Sequence, residues 1–127
     1  MNGEKRYFLD TNALVAFGNG EKSIGDLLAE ADDVFTSVIC ELEYLSWDGL
    51  TEQDESSFKQ FLSMINVVDV ASADIGLKNR IVEIRRANTK IKLPDAIVMA
   101  SSTVTGSILL TRDHQLLNSG FCKAQEF

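Results

Sequence analysis

The first strongly patterned stretch of the chain is an apolar run, Tyr7-Phe8-Leu9, that ends in three polar residues, Asp10-Thr11-Asn12. Such an apolar run favours a buried strand, and the helical pattern that starts at Ala13 predicts a helix directly after it. A buried strand of this kind delivers an acid, a hydroxyl and an amide to the edge of a sheet. Open α/β folds bind their ligands at that edge, so the stretch predicts a polar site there.

Strands and helices alternate along the rest of the chain. Short apolar runs at residues 34–36, 67–70 and 107–111 predict three further strands, and residues 121–124 favour an edge strand. The segments between them carry apolar residues at helical spacing, such as Leu77, Ile81 and Ile84. This alternation predicts an α/β fold, namely a three-layer α/β/α sandwich with a mostly parallel central sheet.

Capping residues locate two of the helices more closely. Ser23, with Asp26 at the capping-box position, predicts the start of the second helix. Ser37 predicts the start of a helix that runs to Trp47. The predicted buried stripe of that helix is Val38, Leu42 and Leu45.

Length and composition indicate a single domain over residues 1–127. The chain is long enough to bury a core without disulfides, 45% of its residues are apolar, and no linker or repeat divides it. The first six residues lack an apolar signal core, and no run has membrane-spanning length. Cys40 and Cys122 lack metal-ligand spacing. We therefore expect a soluble cytoplasmic protein with reduced cysteines and no membrane contact.

The formal net charge of −7 argues against a general nucleic-acid coat protein, because the surface of such a protein is basic. The argument weakens if four acids belong to one metal site, since 15 of the 19 acidic residues then stand against 12 basic ones. The charge is also patterned. Six basic residues fall in one short segment: Lys78, Arg80, Arg85, Arg86, Lys90 and Lys92.

Acidic residues follow two of the predicted strands. Asp10 ends the first strand and Asp113 follows the fourth, and the carboxyl ends of parallel strands lie at one edge of a sheet. Asp95, in the first turn of the helix before the fourth strand, is expected near the same edge, as is Glu41 or Glu43. Crowded carboxylates repel each other unless a cation neutralises them. Oxygen-only ligands favour Mg²⁺ or Mn²⁺, ions that suit phosphodiester chemistry.

Each acid also has a purely structural explanation. Asp10 suits a strand-end turn, Asp95 suits the positive end of a helix dipole, and Asp113 suits a helix cap. The two glutamates point about 200° apart at roughly 100° per residue, so one helix face presents only one of them. Glu41 lies nearer the predicted apolar stripe, which slightly favours it. The joint placement of the acids is what supports a metal site.

Four blocks of the sequence resemble, in order, the signature motifs of PIN-domain ribonucleases. Among these enzymes, the chain is most similar to the compact VapC-type toxins of toxin–antitoxin pairs. The blocks are LDTN (residues 9–12), SVICELE (37–43), LPDAIVMA (93–100) and LLTRD (109–113). Together they extend over nearly the whole chain, so the resemblance implies a PIN-like fold.

The resemblance implies that four acids form the catalytic centre and bind one or two Mg²⁺ or Mn²⁺ ions. These are Asp10, Glu43, Asp95 and Asp113. The family motif places its acid six residues after the serine, which selects Glu43 over Glu41. The fourth acidic position, occupied here by Asp113, varies among members.

The resemblance also implies supporting polar roles for Asn12, Ser37 and Thr111. Cys40 departs from the pattern, since many members have threonine at that position.

Three arginines are candidate contacts for RNA phosphates: Arg85, Arg86 and Arg112. The first two also suit the carboxyl end of a helix, where the dipole favours cations. Arg112, next to Asp113, also suits a salt bridge with the acids.

The function implied by the resemblance is hydrolysis of RNA by in-line attack of water, which leaves a 5′-phosphate and a 3′-hydroxyl. The implied partners are an RNA substrate, a cognate antitoxin that inhibits the enzyme, and a second copy of the chain in a homodimer. Two alternatives stay open. One is a PIN-type RNA-processing nuclease outside any toxin–antitoxin pair. The other is a non-enzymatic receiver-like Mg²⁺-binding signalling module, which needs an aspartate at the end of the third strand, whereas Asp69 is predicted inside it.

Overall fold

The structure is a computed structural model that describes residues 4–127. The strands are β1 (Arg6–Leu9), β2 (Asp33–Ser37), β3 (Asn66–Val68), β4 (Ile108–Leu110) and β5 (Ala124–Gln125). They form one sheet in the order β3-β2-β1-β4-β5, and every neighbouring pair is parallel. The predicted α/β class is confirmed, and the sheet is wholly parallel over the described residues.

The helices connect these strands. They are α1 (Thr11–Gly18), α2 (Lys22–Ala29), α3 (Val38–Leu45), α4 (Glu52–Leu62), α5 (Ile75–Ala87), α6 (Leu93–Val104) and α7 (His114–Leu117). None of those in residues 4–127 is long and apolar enough to cross a bilayer.

The chain builds the sheet outward from β1 and then reverses direction. Strands β2 and β3 follow on one side of β1, and α5 and α6 carry the chain back so that β4 lies on the other side. Such a reversal opens a crevice at the carboxyl ends of the two strands that flank it. Leu9 pairs with Leu110, and the amide of Asp10 donates to the carbonyl of Leu110 at 3.2 Å. Asp10 and Thr111 therefore leave the sheet side by side.

Strands β1 and β4 form the centre of the core. Phe8, Leu9, Leu109 and Leu110 are fully shielded from solvent, as expected for central parallel strands with helices on both faces. The predicted stripe of α5 is buried, and so are residues 96–102 of α6. This burial holds both strand ends, and the polar residues that follow them, in fixed positions.

The predicted cap of α2 is wrong. The helix begins at Lys22 with Glu21 as its N-cap, and Ser23 lies in the first turn. Asp26 closes no capping box, because its carboxylate pairs with the Lys22 ammonium at 2.6 Å, one helical turn away. The Glu21 side chain makes no cap hydrogen bond and instead pairs with Arg112.

The predicted apolar stripe of α3 is also wrong, although Ser37 caps the helix as predicted. Leu42 is 56% exposed, whereas Cys40 is fully buried. The helix packs against α1, β2 and α6, and a helix enclosed by several elements does not bury one simple stripe. This rotation leaves Glu43 exposed and Glu41 half-buried.

Several element boundaries differ from the sequence prediction by two or three residues. Helix α1 begins at Thr11 instead of Ala13, and α3 ends at Leu45 instead of Trp47. Strand β3 ends at Val68, so Asp69 follows the strand instead of lying inside it. Asp69 is exposed beside an outermost strand, and β2 separates β3 from β1.

Candidate active site

Asp10 anchors the candidate site at the carboxyl end of β1. Its carboxylate is the N-cap of α1, with Oδ1 accepting a hydrogen bond from the amide of Thr11 at 2.8 Å. The residue is only 7% exposed. Burial raises the pKa of Asp10, the Thr111 and Thr11 hydrogen bonds oppose that rise, and the charges of Glu43 and Asp113 add to it. Asp10 is therefore a buried acid whose charge is only partly compensated by the protein.

Thr111 and Asn12 tie the ends of β1 and β4 together around Asp10. The hydroxyl of Thr111 donates to Asp10 Oδ2 at 2.7 Å and accepts from the Asn12 amide at 3.1 Å. Asn12 Nδ2 also lies 3.4 Å from Asp10 Oδ2, and Asn12 Oδ1 accepts from the Arg112 amide at 3.1 Å. These contacts fix the orientation of the Asp10 carboxylate. A fixed orientation suits a metal ligand, because a metal ion is bound at a defined coordination geometry.

Glu43 reaches the site from α3 through Thr11. The hydroxyl of Thr11 donates to Glu43 Oε1 at 2.6 Å, while its backbone amide donates to Asp10. One residue thus orients two of the candidate acids. Ser37, which is fully buried, supports Glu43 indirectly because it caps the helix that carries Glu43.

Asp95 and Asp113 complete the predicted set of acids. Asp95 lies in the first turn of α6 and lines the same cavity as Asp10 and Glu43. Burial raises the pKa of Asp95 to about 6, and the charges of Asp10, Asp113 and Glu43 contribute to that rise. Asp113 is the N-cap of α7 and accepts from the Gln115 amide at 2.9 Å. Asp113 therefore caps α7, as its structural explanation predicted. Its negative charge also contributes to the raised pKa values of Asp10 and Asp95.

Cys40 lies fully buried next to this group. Burial, together with the charge of Asp10, raises the pKa of the Cys40 thiol to about 12. The side chain is therefore a neutral thiol at ordinary pH, with no capacity to act as a nucleophile. Cys122 is also a free thiol.

The acids open into a cavity of about 520 Å³ at the carboxyl ends of β1 and β4. The residues that line it are Asp10, Thr11, Asn12, Val15, Ala16, Glu21, Glu43, Asp95 and Arg112. A slightly larger cavity, of about 570 Å³, lies at the amino ends of the strands, where Glu4 is the one acid among its lining residues. The acidic cavity is the candidate active site because it lies at the reversal of strand order and holds three interacting carboxylates, those of Asp10, Glu43 and Asp95.

The acidic cavity fits a hard divalent cation in donor type and in charge. Its candidate ligands are carboxylate oxygens, and their mutual repulsion adds to the burial that raises the pKa values of Asp10 and Asp95. Within residues 4–127, no group of three or more His, Cys, Asp or Glu side chains is already gathered closely enough to hold a metal. Binding of an ion would therefore require side-chain rotation. Glu43 is exposed and so can rotate, although the Thr11 hydroxyl orients its carboxylate.

Arg112 lines this cavity but is already engaged. Its guanidinium makes two hydrogen bonds with the Glu21 carboxylate, at 2.7 and 3.3 Å, and lies 4.3 Å from the centre of the Phe127 ring. Its Nε also donates to the Phe127 carbonyl at 3.1 Å. Arg112 therefore pairs with Glu21 and not with the four candidate acids.

The other two predicted phosphate contacts lie on α5. Arg85 donates to the carbonyls of Thr89 and Ile91, so it closes the turn after the helix. Arg86 is exposed. The geometry of Arg85 matches the structural alternative for a cation at a helix terminus.

The sequence alone did not reveal two contacts of the site. The Thr11–Glu43 hydrogen bond joins residues 32 positions apart, and the Arg112–Glu21 pair joins residues 91 positions apart. A threonine after a strand and a glutamate before a helix are common, so neither carries a pattern that a single sequence distinguishes.

We expect Thr11→Val to loosen Glu43 without disturbing the backbone bond from residue 11 to Asp10. Because an outer residue that orients a metal ligand typically contributes 10-fold or more to affinity, Mn²⁺ binding should weaken about tenfold. Calorimetric titration with Mn²⁺ measures this effect. Thr11→Ser keeps the hydroxyl and serves as the control, and equal Mn²⁺ affinity of the valine variant and the wild type would contradict the assignment.

The fold is shared with solved toxin–antitoxin proteins. The chain matches one from a toxin–antitoxin complex of Klebsiella pneumoniae with a TM-score of 0.75 and 24% identity, over 91% of this chain and 94% of that one. It matches a chain of VapBC2 from Rickettsia felis, bound to a promoter DNA fragment, with a TM-score of 0.79 and 20% identity, over 96% and 98%. For VapBC-1 of nontypeable Haemophilus influenzae the values are 0.72 and 17%, over 95% and 97%. These similarities establish the fold.

Sequence comparison gives the family. A comparison with curated proteins returns no significant match. A sequence model of the PIN domain matches residues 7–121, a range that includes all four candidate acids. Members of that family are generally nucleases, in agreement with an acidic site built from oxygen ligands. Because the match covers nearly the whole chain, this protein belongs to the PIN-domain family.

Proposed function

We propose that the protein is a Mg²⁺- or Mn²⁺-dependent endoribonuclease that acts as a VapC-like toxin and is inhibited by a cognate antitoxin. The observation that carries the proposal is the acidic group at the reversal between β1 and β4. There burial raises the pKa values of Asp10 and Asp95, and the charges of Glu43 and Asp113 add to the rise at both. A site with this much uncompensated negative charge suits a divalent cation and a phosphodiester substrate.

The roles of the residues follow from their contacts. Asp10, Glu43, Asp95 and Asp113 are the proposed ligands of one or two ions. When bound, Mg²⁺ or Mn²⁺ supplies Lewis-acid chemistry, lowering the pKa of water and offsetting charge on the phosphate. Thr111 and Asn12 hold Asp10 in one orientation, and Thr11 holds Glu43. Asp10 or Asp95 orients the attacking water in line with the leaving oxygen.

The proposed cleavage leaves a 5′-phosphate and a 3′-hydroxyl. Arg86 and Arg112 are proposed to contact phosphates of the RNA, with Arg112 exchanging part of its pairing with Glu21 for the substrate. Arg85 remains a weaker candidate because its guanidinium is used by backbone carbonyls.

The proposed protein partners are an antitoxin and a second copy of the chain. The structures with the same fold that were compared above are described as toxin–antitoxin or VapBC complexes. Large apolar side chains are exposed, including Val15, which lines the acidic cavity, Leu42 on α3 and Trp47, which is 62% exposed. Exposed apolar residues of this kind support a protein–protein interface. We also propose that the protein acts in the cytoplasm.

A cleavage assay tests the nuclease proposal. The purified chain is incubated with a panel of single-stranded and structured RNAs, with Mg²⁺, with Mn²⁺ or with a chelator. We expect discrete products only with metal, and ligation assays should find 5′-phosphate ends. The Asp10→Asn variant, prepared identically, measures contaminating nuclease. Equal cleavage by the variant and the wild type, or cleavage that survives the chelator, would overturn the proposal.

A growth assay separates a toxin from an RNA-processing nuclease, since both use the same site. Induced expression of the wild-type chain should arrest growth, and co-expression of a small protein from a neighbouring reading frame should relieve the arrest. Normal growth of cells that contain active nuclease would favour the processing enzyme.

A further inference from the structure

Helix α6 begins with an unfavourable residue. Its N-cap is Lys92, with extended backbone angles (φ −72°, ψ 154°) and no side-chain cap hydrogen bond. Serine, threonine, aspartate and asparagine are preferred at an N-cap because their side chains accept a hydrogen bond from the first turn, and lysine has no acceptor. The ammonium also lies near the positive end of the helix dipole. The position of Lys92 therefore brings no local benefit to the helix.

This helix start belongs to the candidate active site. Asp95 follows Lys92 by three residues, and the N-cap and the third helical residue lie close together on a helix. In agreement with this geometry, the positive charge of Lys92 lowers the pKa of Asp95, against the larger effects that raise it.

Several other cations of the acidic cavity and of the basic segment are already engaged. Arg112 is bound to Glu21 and Phe127, and Arg85 to two backbone carbonyls. In the same basic segment, Arg80 pairs with Glu83 at 2.6 Å and Lys78 donates to the carbonyl of Ser72 at 2.9 Å.

Lys92 is available for a ligand. Its side chain is exposed and makes no hydrogen bond or ion pair with any residue in the range 4–127. A polyanion that approaches Asp10, Glu43 and Asp95 meets strong repulsion, and a neighbouring unpaired cation reduces it. A residue that violates a local rule without structural compensation is expected at a functional site.

We propose that Lys92 is a substrate-binding residue of the nuclease site, where its ammonium contacts an RNA phosphate adjacent to the one that is cleaved. This inference rests on the proposed ribonuclease function and adds a residue to it. Lys92 acts as a point charge that positions the backbone, so it contributes to affinity and carries no base preference.

The test replaces Lys92 by serine in the full chain and measures cleavage kinetics and RNA binding over a range of salt concentrations. We expect KM to rise about fivefold with kcat changed less than twofold, since one phosphate contact to a single strand is lost. The slope of log affinity against log salt should become shallower by about 0.7. Serine is a good N-cap, so Tm should stay equal or rise, which excludes misfolding as the cause.

Two control variants accompany this test. Lys90→Ser removes the same charge from an exposed lysine two positions away and should leave KM and the salt slope unchanged. Lys92→Arg keeps the cation and should keep KM near the wild-type value.

The outcomes distinguish the two proposals. If the wild type cleaves RNA and Lys92→Ser matches it in KM and in salt slope, the role of Lys92 is overturned and the nuclease proposal stands. If KM rises equally in Lys90→Ser, the effect comes from the loss of one positive charge at any position. That result would also overturn the proposed role of Lys92. If the wild type neither binds nor cleaves any RNA, the nuclease proposal and this inference fall together.

Discussion

Replacing Asp95 by asparagine is expected to abolish metal-dependent RNA cleavage and, at the same time, to stabilise the metal-free protein. Loss of a ligand carboxylate should reduce kcat at least about 100-fold, which corresponds to roughly 2.7 kcal/mol of transition-state stabilisation. Stability should rise because burial raises the pKa of the Asp95 carboxyl to about 6 and the charges of three other acids add to that rise. Asparagine keeps the shape of the side chain and removes the repelled charge.

The stabilisation should depend on pH in a defined direction. The pKa of Asp95 is 3.8 when unperturbed and about 6 in the folded protein, so the folded state binds more protons between these values. The wild type therefore loses stability as pH rises from about 4 to about 6, and the penalty is complete above that range. Because Asp95 is only partly buried, solvent screening reduces the penalty to about 1 kcal/mol.

Thermal unfolding of the two proteins measures this difference. With metal absent, the Tm of Asp95→Asn should exceed that of the wild type by about 4 °C at pH 7.5 and should equal it at pH 4. Mn²⁺ should raise the Tm of the wild type and have little effect on the variant. Asp69→Asn, at an exposed position away from the site, is the control for charge. A variant that is less stable than the wild type at pH 7.5 would contradict the crowding of acids inferred here.

Thr111→Val is expected to produce the largest loss of stability among the substitutions considered. Valine has nearly the same shape as threonine, but it lacks the hydroxyl that donates to Asp10 and accepts from Asn12 and from the Asp113 amide. A buried carboxylate then loses its shortest donor, and the two donors lose an acceptor. We expect a decrease of about 3 kcal/mol in the free energy of unfolding, measured by urea denaturation.

Thr111→Ser retains the hydroxyl and controls for the lost hydrogen bonds. The serine variant should lose about 1 kcal/mol, since only a methyl group is removed from a fully buried site. The valine variant should also require a higher pH for metal binding, because the Thr111 hydrogen bond holds the pKa of Asp10 down. Equal unfolding free energies for the valine and serine variants would show that the hydroxyl network adds little.

These two substitutions separate the two kinds of polar residue in the site. Asp95 is crowded by like charges, so its replacement should improve the metal-free fold and remove function. Thr111 donates a hydrogen bond to the buried Asp10 carboxylate, so its replacement should mainly lower the free energy of unfolding. Sites that carry function commonly lower stability in this way, while their supporting residues restore part of it.

The strand ends were predictable because they depend on local patterns. An apolar run that stops at Asp10, and another followed by Asp113, already placed two acids at one edge of a parallel sheet. The N-cap at Ser37 followed from the same kind of local rule, and the structure confirms it. The choice of Glu43 over Glu41 needed the resemblance, because helical spacing alone favoured the other residue.

Contacts between distant elements were decided only by the tertiary structure. Helical periodicity fixes the angles between residues on one helix, but it does not fix how that helix is rotated against its neighbours. For this reason the stripe through Leu42 was wrong and Cys40 is buried instead. The Glu21 side chain likewise pairs with Arg112 and makes no cap hydrogen bond to α2. The arginine that lines the acidic cavity is therefore paired with Glu21.

The sequence by itself determined the α/β class, the parallel sheet and the positions of Asp10, Asp95 and Asp113 in their elements, because each depends on residues within one strand or one helical turn. The tertiary structure determined that Thr11 holds Glu43, that Thr111 holds Asp10 and that Lys92 remains unpaired beside Asp95. These contacts form between side chains that come together only after the sheet and helices have packed, so no local sequence pattern predicts them.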